Sequence, residues 1–164
     1  NKALNDSNPD IRITGIRIAR ERGLDIIPFL KKMVKDTDSG VRRECAIALR
    51  HNNSPQAPAL WTELAKQHKG EDRWYLESLG LALDKQQDKF FGAWLDVVGS
   101  DWDTPGGRDI IWRSRSSKTS ELLVKILLDK KTKEAEKPRY IRALDFQSGP
   151  EKDAALIKLI SAGS

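Results

Sequence analysis

The feature that most constrains the fold is an internal repeat of about thirty residues. When the chain is shifted against itself by thirty positions, turn residues, apolar helix residues and a proline stay in register. The matched pairs are Asp6 with Asp36, Ile11 with Val41, Arg12 with Arg42, Pro28 with Pro58 and Leu30 with Leu60. Self-similarity at a period of about 30 to 35 residues is typical of stacked helical hairpins, because each hairpin buries its apolar face only against its neighbours. The sequence therefore predicts an all-α fold, an α-α superhelix.

Each repeat unit contains a turn followed by two helices. Asp38 or Ser39 can cap a first helix that runs to about Arg50, whose small and apolar residues suit close packing against an adjacent helix. The second helix has a proline in its first turn, at Pro28 in one unit and at Pro58 in the next, where the missing amide costs little. No sustained alternation of apolar and polar residues indicates a strand.

The same division continues along the chain and predicts about five hairpins. The predicted segments are a half helix over 1–6, hairpins over 8–36 and 38–69, a third pair over 71–83 and 87–98, a linker over 99–107, a fourth pair over 108–115 and 120–129, and a last pair over 137–145 and 150–160. We interpret residues 1–164 as a single domain. Because the pattern begins in the middle of a unit and the first residue is not Met, we expect an excised piece of a longer protein. No apolar run is long enough to cross a bilayer, so no membrane insertion is expected.

The turn aspartate, the first-helix arginine and the second-helix proline together resemble the HEAT repeat. Asp36, Val41-Arg42 and Pro28-Phe29-Leu30 carry this resemblance, which extends from residue 1 to about residue 68. It implies a HEAT/armadillo-like solenoid in which the turn Asp and the first-helix Arg form a ladder of hydrogen bonds between successive repeats. The implied ladder residues are Asp6 with Arg12, Asp36 with Arg42, and Arg139 in the last unit.

Three strings in the C-terminal two thirds carry a second resemblance. They are Asp72-Arg-Trp-Tyr-Leu-Glu-Ser-Leu-Gly80, Thr104-Pro-Gly-Gly-Arg-Asp-Ile-Ile-Trp-Arg-Ser-Arg115 and Arg139-Tyr-Ile-Arg-Ala-Leu-Asp-Phe-Gln-Ser-Gly-Pro-Glu-Lys152. These strings resemble the HEAT-repeat segment of large secreted or periplasmic bacterial proteins similar to membrane-bound sugar dehydrogenases, in which a c-type haem module follows the repeats. This chain has no Cys-x-x-Cys-His motif, so no cofactor is expected. The resemblance implies a periplasmic or otherwise extracytoplasmic location and a role as a spacer or docking surface.

No set of side chains in the sequence predicts a reaction. His51 and His68 have no Cys, His or carboxylate partner at metal-ligand spacing, so no metal site is predicted. The single cysteine, Cys45, lies among alanine and isoleucine and is predicted to be a buried packing residue. The Thr104–Gly107 loop could offer amides to an anion, but it lacks a preceding strand and a Gly-Lys-Ser/Thr ending, which favours a plain turn and helix start.

The net charge of +5 keeps a nucleic-acid-binding alternative open. A solenoid with an arginine-rich face can track phosphates. Certain HEAT-like DNA glycosylases do so, and Trp74, Trp112 and Asp109 would be the nearest counterparts of the Trp and Asp that those enzymes place near a flipped base. However, the chain also has 24 acidic residues, and its second helices mix the two signs of charge. We therefore expect a protein partner, or flanking domains of the same chain, rather than nucleic acid.

The five tryptophans have two interpretations. Trp61 and Trp94 fall in apolar stripes of second helices and are predicted to fill the core, and Trp74 takes an apolar position of its helix. Trp102 lies in a polar loop, so it either folds back on the helix ends, which we favour, or anchors a partner. The candidate partner-binding residues are Trp102, Lys31, Lys35 and Lys66.

These observations predict a non-enzymatic scaffold or protein-binding module, a spacer or docking segment of a larger extracytoplasmic redox protein. The alternative is a nucleic-acid-binding solenoid related to DNA-repair glycosylases. A third possibility is that the segment completes an active site that belongs to another part of its parent protein.

Overall fold

A computed structural model describes residues 2–163 of the chain. Within that range the protein has ten α-helices and no β-strand, and short 3₁₀ helices span Ala3–Asn5 and Gly99–Trp102. The α-helices are α1 (Pro9–Glu21), α2 (Ile27–Met33), α3 (Ser39–Ala48), α4 (Ala57–Ala65), α5 (Arg73–Ala82), α6 (Gln87–Val98), α7 (Pro105–Arg113), α8 (Thr119–Leu128), α9 (Lys137–Leu144) and α10 (Pro150–Gly163).

The helices pack in two rows, so the hairpins stack in chain order. The odd-numbered helices form the first row, in which α1 contacts α3, α3 contacts α5, α5 contacts α7 and α7 contacts α9. In the second row, α2 contacts α4, α4 contacts α6 and α8 contacts α10. Helix pairs that lean on their neighbours in this way form an α-α superhelix. The predicted stack of about five hairpins is therefore confirmed.

A capping side chain begins each first-row helix except α9. In each case a side-chain oxygen accepts a hydrogen bond from a backbone amide two or three residues further on, and this satisfies an otherwise unpaired donor. The capping residues are Asn8 for α1, Asp38 for α3, Asp72 for α5 and Thr104 for α7. In the second row, Pro28 and Pro58 lie in the first turns of α2 and α4, as predicted.

One hydrophobic cluster fills the space between the two rows and extends from Leu4 to Ala155. Trp61 is completely buried there, and its indole N–H donates a 3.1 Å hydrogen bond to the Leu79 carbonyl oxygen. Trp94 is also buried, so the prediction that these two rings fill the core is confirmed. Cys45 is buried as well, and burial raises the pKa of its thiol far above the ordinary range.

The predicted start of the fourth hairpin was wrong. Helix α7 begins at Pro105, whereas the sequence predicted a linker up to residue 107. A Cβ atom on Gly106 would lie 2.1 Å from the carbonyl oxygen of His68, and one on Gly107 would lie 1.9 Å from that of Trp102. The two glycines therefore allow the first turn of α7 to pack directly on neighbouring backbone. From composition alone, the same glycines predict a loop.

The expectation for Trp74 was also wrong. Its side chain is 73% exposed, because Tyr75, Leu76 and Leu79 occupy the buried positions of α5. The large ring therefore lies on the outer surface of the first row rather than in the core.

The predicted half helix over 1–6 is a single 3₁₀ turn at Ala3–Asn5, and it packs on α1 through the buried Leu4. Residue 1 of that prediction, and residue 164 of the predicted domain, lie outside the described residues. None of the helices between residues 2 and 163 is both long enough and apolar enough to span a membrane.

Candidate functional site

Arginine contacts run along the edge of the stack where the turns precede the first-row helices. Arg12 donates from Nε and Nη2 to the two carboxylate oxygens of Asp36 at 2.8 and 2.9 Å, and from Nη1 to the backbone carbonyl of Asp6 at 2.8 Å. One side chain thus joins its own turn to the next turn along the chain. Arg42 likewise donates from Nη1 to the carbonyl of Asp36 at 2.6 Å. The HEAT resemblance implies the pairs Asp6 with Arg12 and Asp36 with Arg42. In each pair the arginine bonds the backbone carbonyl of the aspartate. The carboxylate of Asp36 instead accepts from Arg12 of the preceding repeat.

The contact with Arg12 keeps the Asp36 carboxylate ionised. Burial works to raise the pKa of Asp36, but the hydrogen bonds from Arg12 and from the Asp38 amide outweigh it, and the pKa lies below its ordinary value. The carboxylate therefore stays ionised at neutral pH and accepts hydrogen bonds from Arg12 and from the Asp38 amide of its own turn.

Arg108 is a ladder residue that the sequence analysis missed. It is the fourth residue of α7, as Arg12 is of α1, and it donates to Asp129 at 2.7 Å and to Thr132 at 2.9 Å in the next turn. The available signal was its spacing, three residues after Pro105 as Arg12 is three residues after Pro9. Arg139 was named instead, but it is the third residue of α9 and its guanidinium reaches back to α7.

A buried network joins the end of the second hairpin to the third, fourth and fifth hairpins. The His68 ring stacks on Tyr75 with centroids 6.1 Å apart, and its Nε2 lies 3.0 Å from Oδ2 of Asp109. Arg139 donates to the other oxygen of Asp109 at 2.6 Å, and its guanidinium lies 4.5 Å from the centre of the Trp112 ring. Burial works to raise the pKa of Asp109, but the bonds from His68 and Arg139 outweigh it and lower the pKa. The carboxylate is thus an ionised bridge between hairpins.

A polar cleft of about 460 Å³ opens beside this network. Its charged and hydroxyl-bearing lining residues are Arg108, Lys131, Arg139, Asp103, Asp109, Glu136, Thr104 and Tyr140. Among residues 2–163, no serine, threonine or cysteine side chain hydrogen-bonds to His68, and no cluster of three or more potential metal ligands occurs. The His68–Asp109 contact links the turn after α4 to α7, which is the geometry of a structural tie.

The three residues weighed for base recognition do not converge. Asp109 is only 8% exposed and both of its oxygens are bonded. The guanidinium groups of Arg73 and Arg139 lie against the Trp112 ring at 5.1 and 4.5 Å. Trp74 faces a different groove. A flipped base would have to displace these contacts before it could stack.

The groove beneath Trp74 crosses α3 between α1 and α5 and has a volume of about 330 Å³. Ile13, Ile47, Trp74 and Leu81 form its apolar surface. We call it the Trp74 groove. Gly40 of α3 also lines the groove, and a Cβ atom on it would lie 3.4 Å from Ile13 Cδ1.

Arginines outnumber acids around the Trp74 groove. Glu44, which is buried, lies 2.8 Å from Arg17 and 3.4 Å from Arg20. Glu77 contacts both Arg73 and Arg113, at 2.6 and 2.9 Å. Arg43 also lines the groove. Each glutamate is therefore shared by two arginines, which leaves a positive rim around an apolar floor.

The partner-binding residues predicted from sequence lie elsewhere. Trp102 is partly buried and packs against the core, so it folds back on the helix ends. Lys35 and Lys66 both approach Glu63, at 3.2 and 3.4 Å, while Lys31 is exposed. The structure does not bring Trp102 and these lysines together around one cavity among those described.

Comparison with known proteins gives one family match. Residues 1–80 match the model for HEAT repeats. The matched segment contains the Arg12–Asp36 contact and ends within α5. No curated protein matches the sequence. The family match and the all-helical stack together support a HEAT-repeat solenoid.

Proposed function

We propose that this HEAT-repeat solenoid is a non-enzymatic scaffold that binds a protein segment in the Trp74 groove. HEAT repeats commonly serve as protein-interaction scaffolds, which makes a protein the preferred class of partner. The observation that carries the proposal is the 73% exposure of Trp74 above an apolar surface. An exposed indole in a hydrophobic groove is typical of an interface anchor, because covering it removes a large apolar area from water.

The charge around the groove defines the chemistry of the partner. Arg17 and Arg43 line the groove together with Glu44 and Glu77, and three further arginines, Arg20, Arg73 and Arg113, contact those two glutamates. A segment with an aliphatic or aromatic anchor and flanking Asp or Glu would therefore complement both the floor and the rim.

For the cellular context, we propose that residues 1–164 are one domain of a larger extracytoplasmic redox protein, in which the stack is a spacer or docking segment. Support comes from the resemblance of the strings at 72–80, 104–115 and 139–152 to such segments. A continuous core and the Arg12–Asp36 and Arg108–Asp129 contacts would make the stack stiff enough for a spacer.

The proposal is tested by selecting binders from a displayed library of random peptides. We expect the selected peptides to combine an apolar anchor with Asp or Glu and to lose at least about tenfold in affinity for Trp74→Ala, since anchor residues contribute about 2 kcal/mol or more. Val97→Ala is the matched control, because Val97 is a 59% exposed apolar residue on α6, outside the groove. Peptides that bind wild type and Trp74→Ala equally would refute the groove as the site.

A second measurement, of binding to duplex DNA, tests the nucleic-acid alternative. Many of the arginines are paired with carboxylates, including Arg12, Arg17, Arg50 and Arg108. Because these charges are already neutralised, we expect only weak binding to duplex DNA. Tight binding that falls steeply between about 50 and 200 mM salt would favour that alternative over a protein scaffold.

A further inference from the structure

The face of the first row that carries the Trp74 groove continues as far as α9. The groove is lined by the fifth and ninth residues of three helices, Ile13 and Arg17 of α1, Arg43 and Ile47 of α3, and Glu77 and Leu81 of α5. Counted from Pro138, as α1 is counted from Pro9, the same positions in the last hairpin are Arg142 and Phe146. Arg142 is exposed and Phe146 is 54% exposed. The repeat therefore places an arginine and an aromatic ring on the same face at its far end.

Side-chain contacts connect the groove to α9. Glu77 in the groove lies 2.6 Å from Arg73 of the same helix. The Arg73 guanidinium lies 5.1 Å from the centre of the Trp112 ring in α7, and the Arg139 guanidinium of α9 lies 4.5 Å from the same ring. Arginine and aromatic side chains thus bridge α5, α7 and α9. We call the surface formed by Arg73, Trp112, Arg115, Arg139, Arg142 and Phe146 the Trp112 ridge.

The ion pairs near the Trp112 ridge leave arginine in excess. Glu77 is shared by Arg73 and Arg113, at 2.6 and 2.9 Å. Asp109 accepts from Arg139 at 2.6 Å. Each of these acids is therefore already bonded, and one of them serves two arginines.

Two arginines of the ridge have no carboxylate partner in the part of the chain that the structure describes. Arg115 donates from Nη1 to the backbone carbonyls of Trp112 and Ser114, and its guanidinium lies 4.7 Å from the centre of the Phe146 ring. Arg142 is exposed, and so is the acid Asp145 three residues further on. Arg115 and Arg142 are thus cations that a partner can reach and pair with.

We propose that the protein segment that anchors in the Trp74 groove continues in extended form over the Trp112 ridge and presents acidic side chains to Arg115 and Arg142. This inference rests on the proposed function, because it uses the groove as the anchor site. Neighbouring helices pack about 8–10 Å apart, so the two steps from α5 to α9 cover about 20 Å. An extended chain spans that distance in about six residues. The segment therefore needs an acidic residue about every third position beyond its apolar anchor.

A protein segment fits this surface better than a strand of nucleic acid. Guanidinium groups already lie against the Trp112 and Phe146 rings, so they compete with bases for stacking. Their planar N–H groups match a carboxylate. The apolar floor of the Trp74 groove also takes an aliphatic or aromatic side chain, which a nucleic acid cannot supply together with a carboxylate.

The test uses peptides of about sixteen residues, long enough to cover both sites, selected from a displayed random library against the whole chain. We expect Arg142→Gln and Phe146→Ala each to weaken their binding about two- to fivefold, since one exposed ion pair or one partly exposed ring contributes modestly. Trimmed to the anchor and its nearest neighbours, the same peptides should lose this dependence and keep their dependence on Trp74.

Matched substitutions away from the ridge provide the controls. Arg22→Gln changes an exposed arginine at the end of α1, and Val97→Ala shortens an exposed apolar residue of α6. Both should leave the affinity of the long peptides unchanged. Thermal unfolding of each variant is measured alongside, because Phe146→Ala also removes the contact with Arg115.

The outcomes separate this inference from the proposed function. A tenfold loss for Trp74→Ala, with no loss for Arg142→Gln or Phe146→Ala, would keep the groove and overturn the ridge. No loss for Trp74→Ala, or a library that yields no binder, would refute the groove and the ridge together. A single-stranded oligonucleotide that binds more tightly than the peptides, and is weakened by the same two ridge substitutions, would overturn the assignment to a protein segment.

Discussion

The junction between the first two hairpins and the later junction at the turn before the third hairpin are both held by a polar contact, but the chemistry differs. In the first, Arg12 and Asp36 join consecutive turns at the edge of the stack. In the later one, Gly70 replaces the turn aspartate, and His68 reaches Asp109 inside α7 instead. Helix faces therefore determine the stacking, and the polar tie between neighbours can be exchanged as long as its charges remain paired.

The later junction also relies on direct backbone contact. Gly106 presses on the carbonyl of His68, an approach that no side-chain-bearing residue tolerates. The earlier junction has a smaller demand of this kind, since a Cβ on Gly40 would meet only side-chain atoms. We therefore expect the later junction to be the less tolerant of substitution.

The largest expected effect is at that backbone contact. Gly106→Ala should destabilise the fold by about 3 kcal/mol or more, because the new Cβ would lie 2.1 Å from the His68 carbonyl oxygen. Gly92→Ala in α6 is the matched control, since its nearest neighbour would be Lys118 Nζ at 3.9 Å, and it should be neutral or stabilising. Urea unfolding measures both, and equal stabilities would show that the approach is not tight.

The ladder should come next. Asp36→Asn removes the ionised acceptor of Arg12, and we expect a loss of about 1–2 kcal/mol in urea unfolding, the usual cost of breaking a charge-assisted hydrogen bond. Asp84→Asn is the control, because Asp84 also contacts an arginine, Arg50, but in an exposed pair, and it should change stability much less. A larger loss of unfolding free energy for Asp84→Asn than for Asp36→Asn would show that the exposed pair stabilises the fold more than the ladder does.

Both junctions should weaken in acid. The pKa values of Asp36 and Asp109 are lowered in the folded chain by their bonded partners, against the opposing effect of burial. The unfolded chain therefore binds protons more readily, and the stability from these groups is complete above the ordinary value of 3.8 and is lost as the pH falls below it. Unfolding midpoints measured between about pH 6 and pH 3 should fall, and more gently in Asp36→Asn than in wild type. Parallel curves would exclude Asp36 as a contributor.

A smaller effect is expected from the outer bond of the buried network. A double-mutant cycle with Asp109→Asn and Arg139→Gln should give a coupling free energy of about 0.5–1 kcal/mol, because Arg139 is partly exposed and water screens the pair. A coupling near zero would mean that His68, rather than Arg139, carries the tie to α7.

The smallest effect on stability is expected at the proposed interface. Trp74→Ala should change the free energy of unfolding by less than about 0.5 kcal/mol, because the ring is mostly exposed. Trp61→Ala, at a completely buried ring, should cost about 3–5 kcal/mol. A large loss of unfolding free energy for Trp74→Ala would show that this residue stabilises the fold rather than serving the binding surface.

The regular part of the fold could be predicted from sequence because its signals are local. Capping residues and first-turn prolines recur at the repeat period, so the two rows of helices follow from them. The start of α7 could not be predicted, since Gly106 serves a contact with a residue far along the chain. The orientation of Trp74 was equally hidden, because three apolar residues competed for the buried face of α5.

The candidate sites were less predictable than the fold. Arg12 and Asp36 were found through their repeat pattern, but their pairing across repeats depends on the stacking distance. The His68–Asp109 contact joins residues 41 positions apart, and no repeat pattern in the sequence predicts it. Arg108 had a signal in the sequence, because it follows Pro105 by three residues as Arg12 follows Pro9.

The most direct test of the stacked-hairpin account is native-state hydrogen exchange of Asp36→Asn compared with wild type. In a stack, each hairpin contacts only its neighbours, so loss of the Arg12–Asp36 tie should speed exchange in α1 to α3 and leave α7 to α10 unchanged. Equal acceleration in α7 to α10 would contradict it, because it would show a globule that opens as one unit.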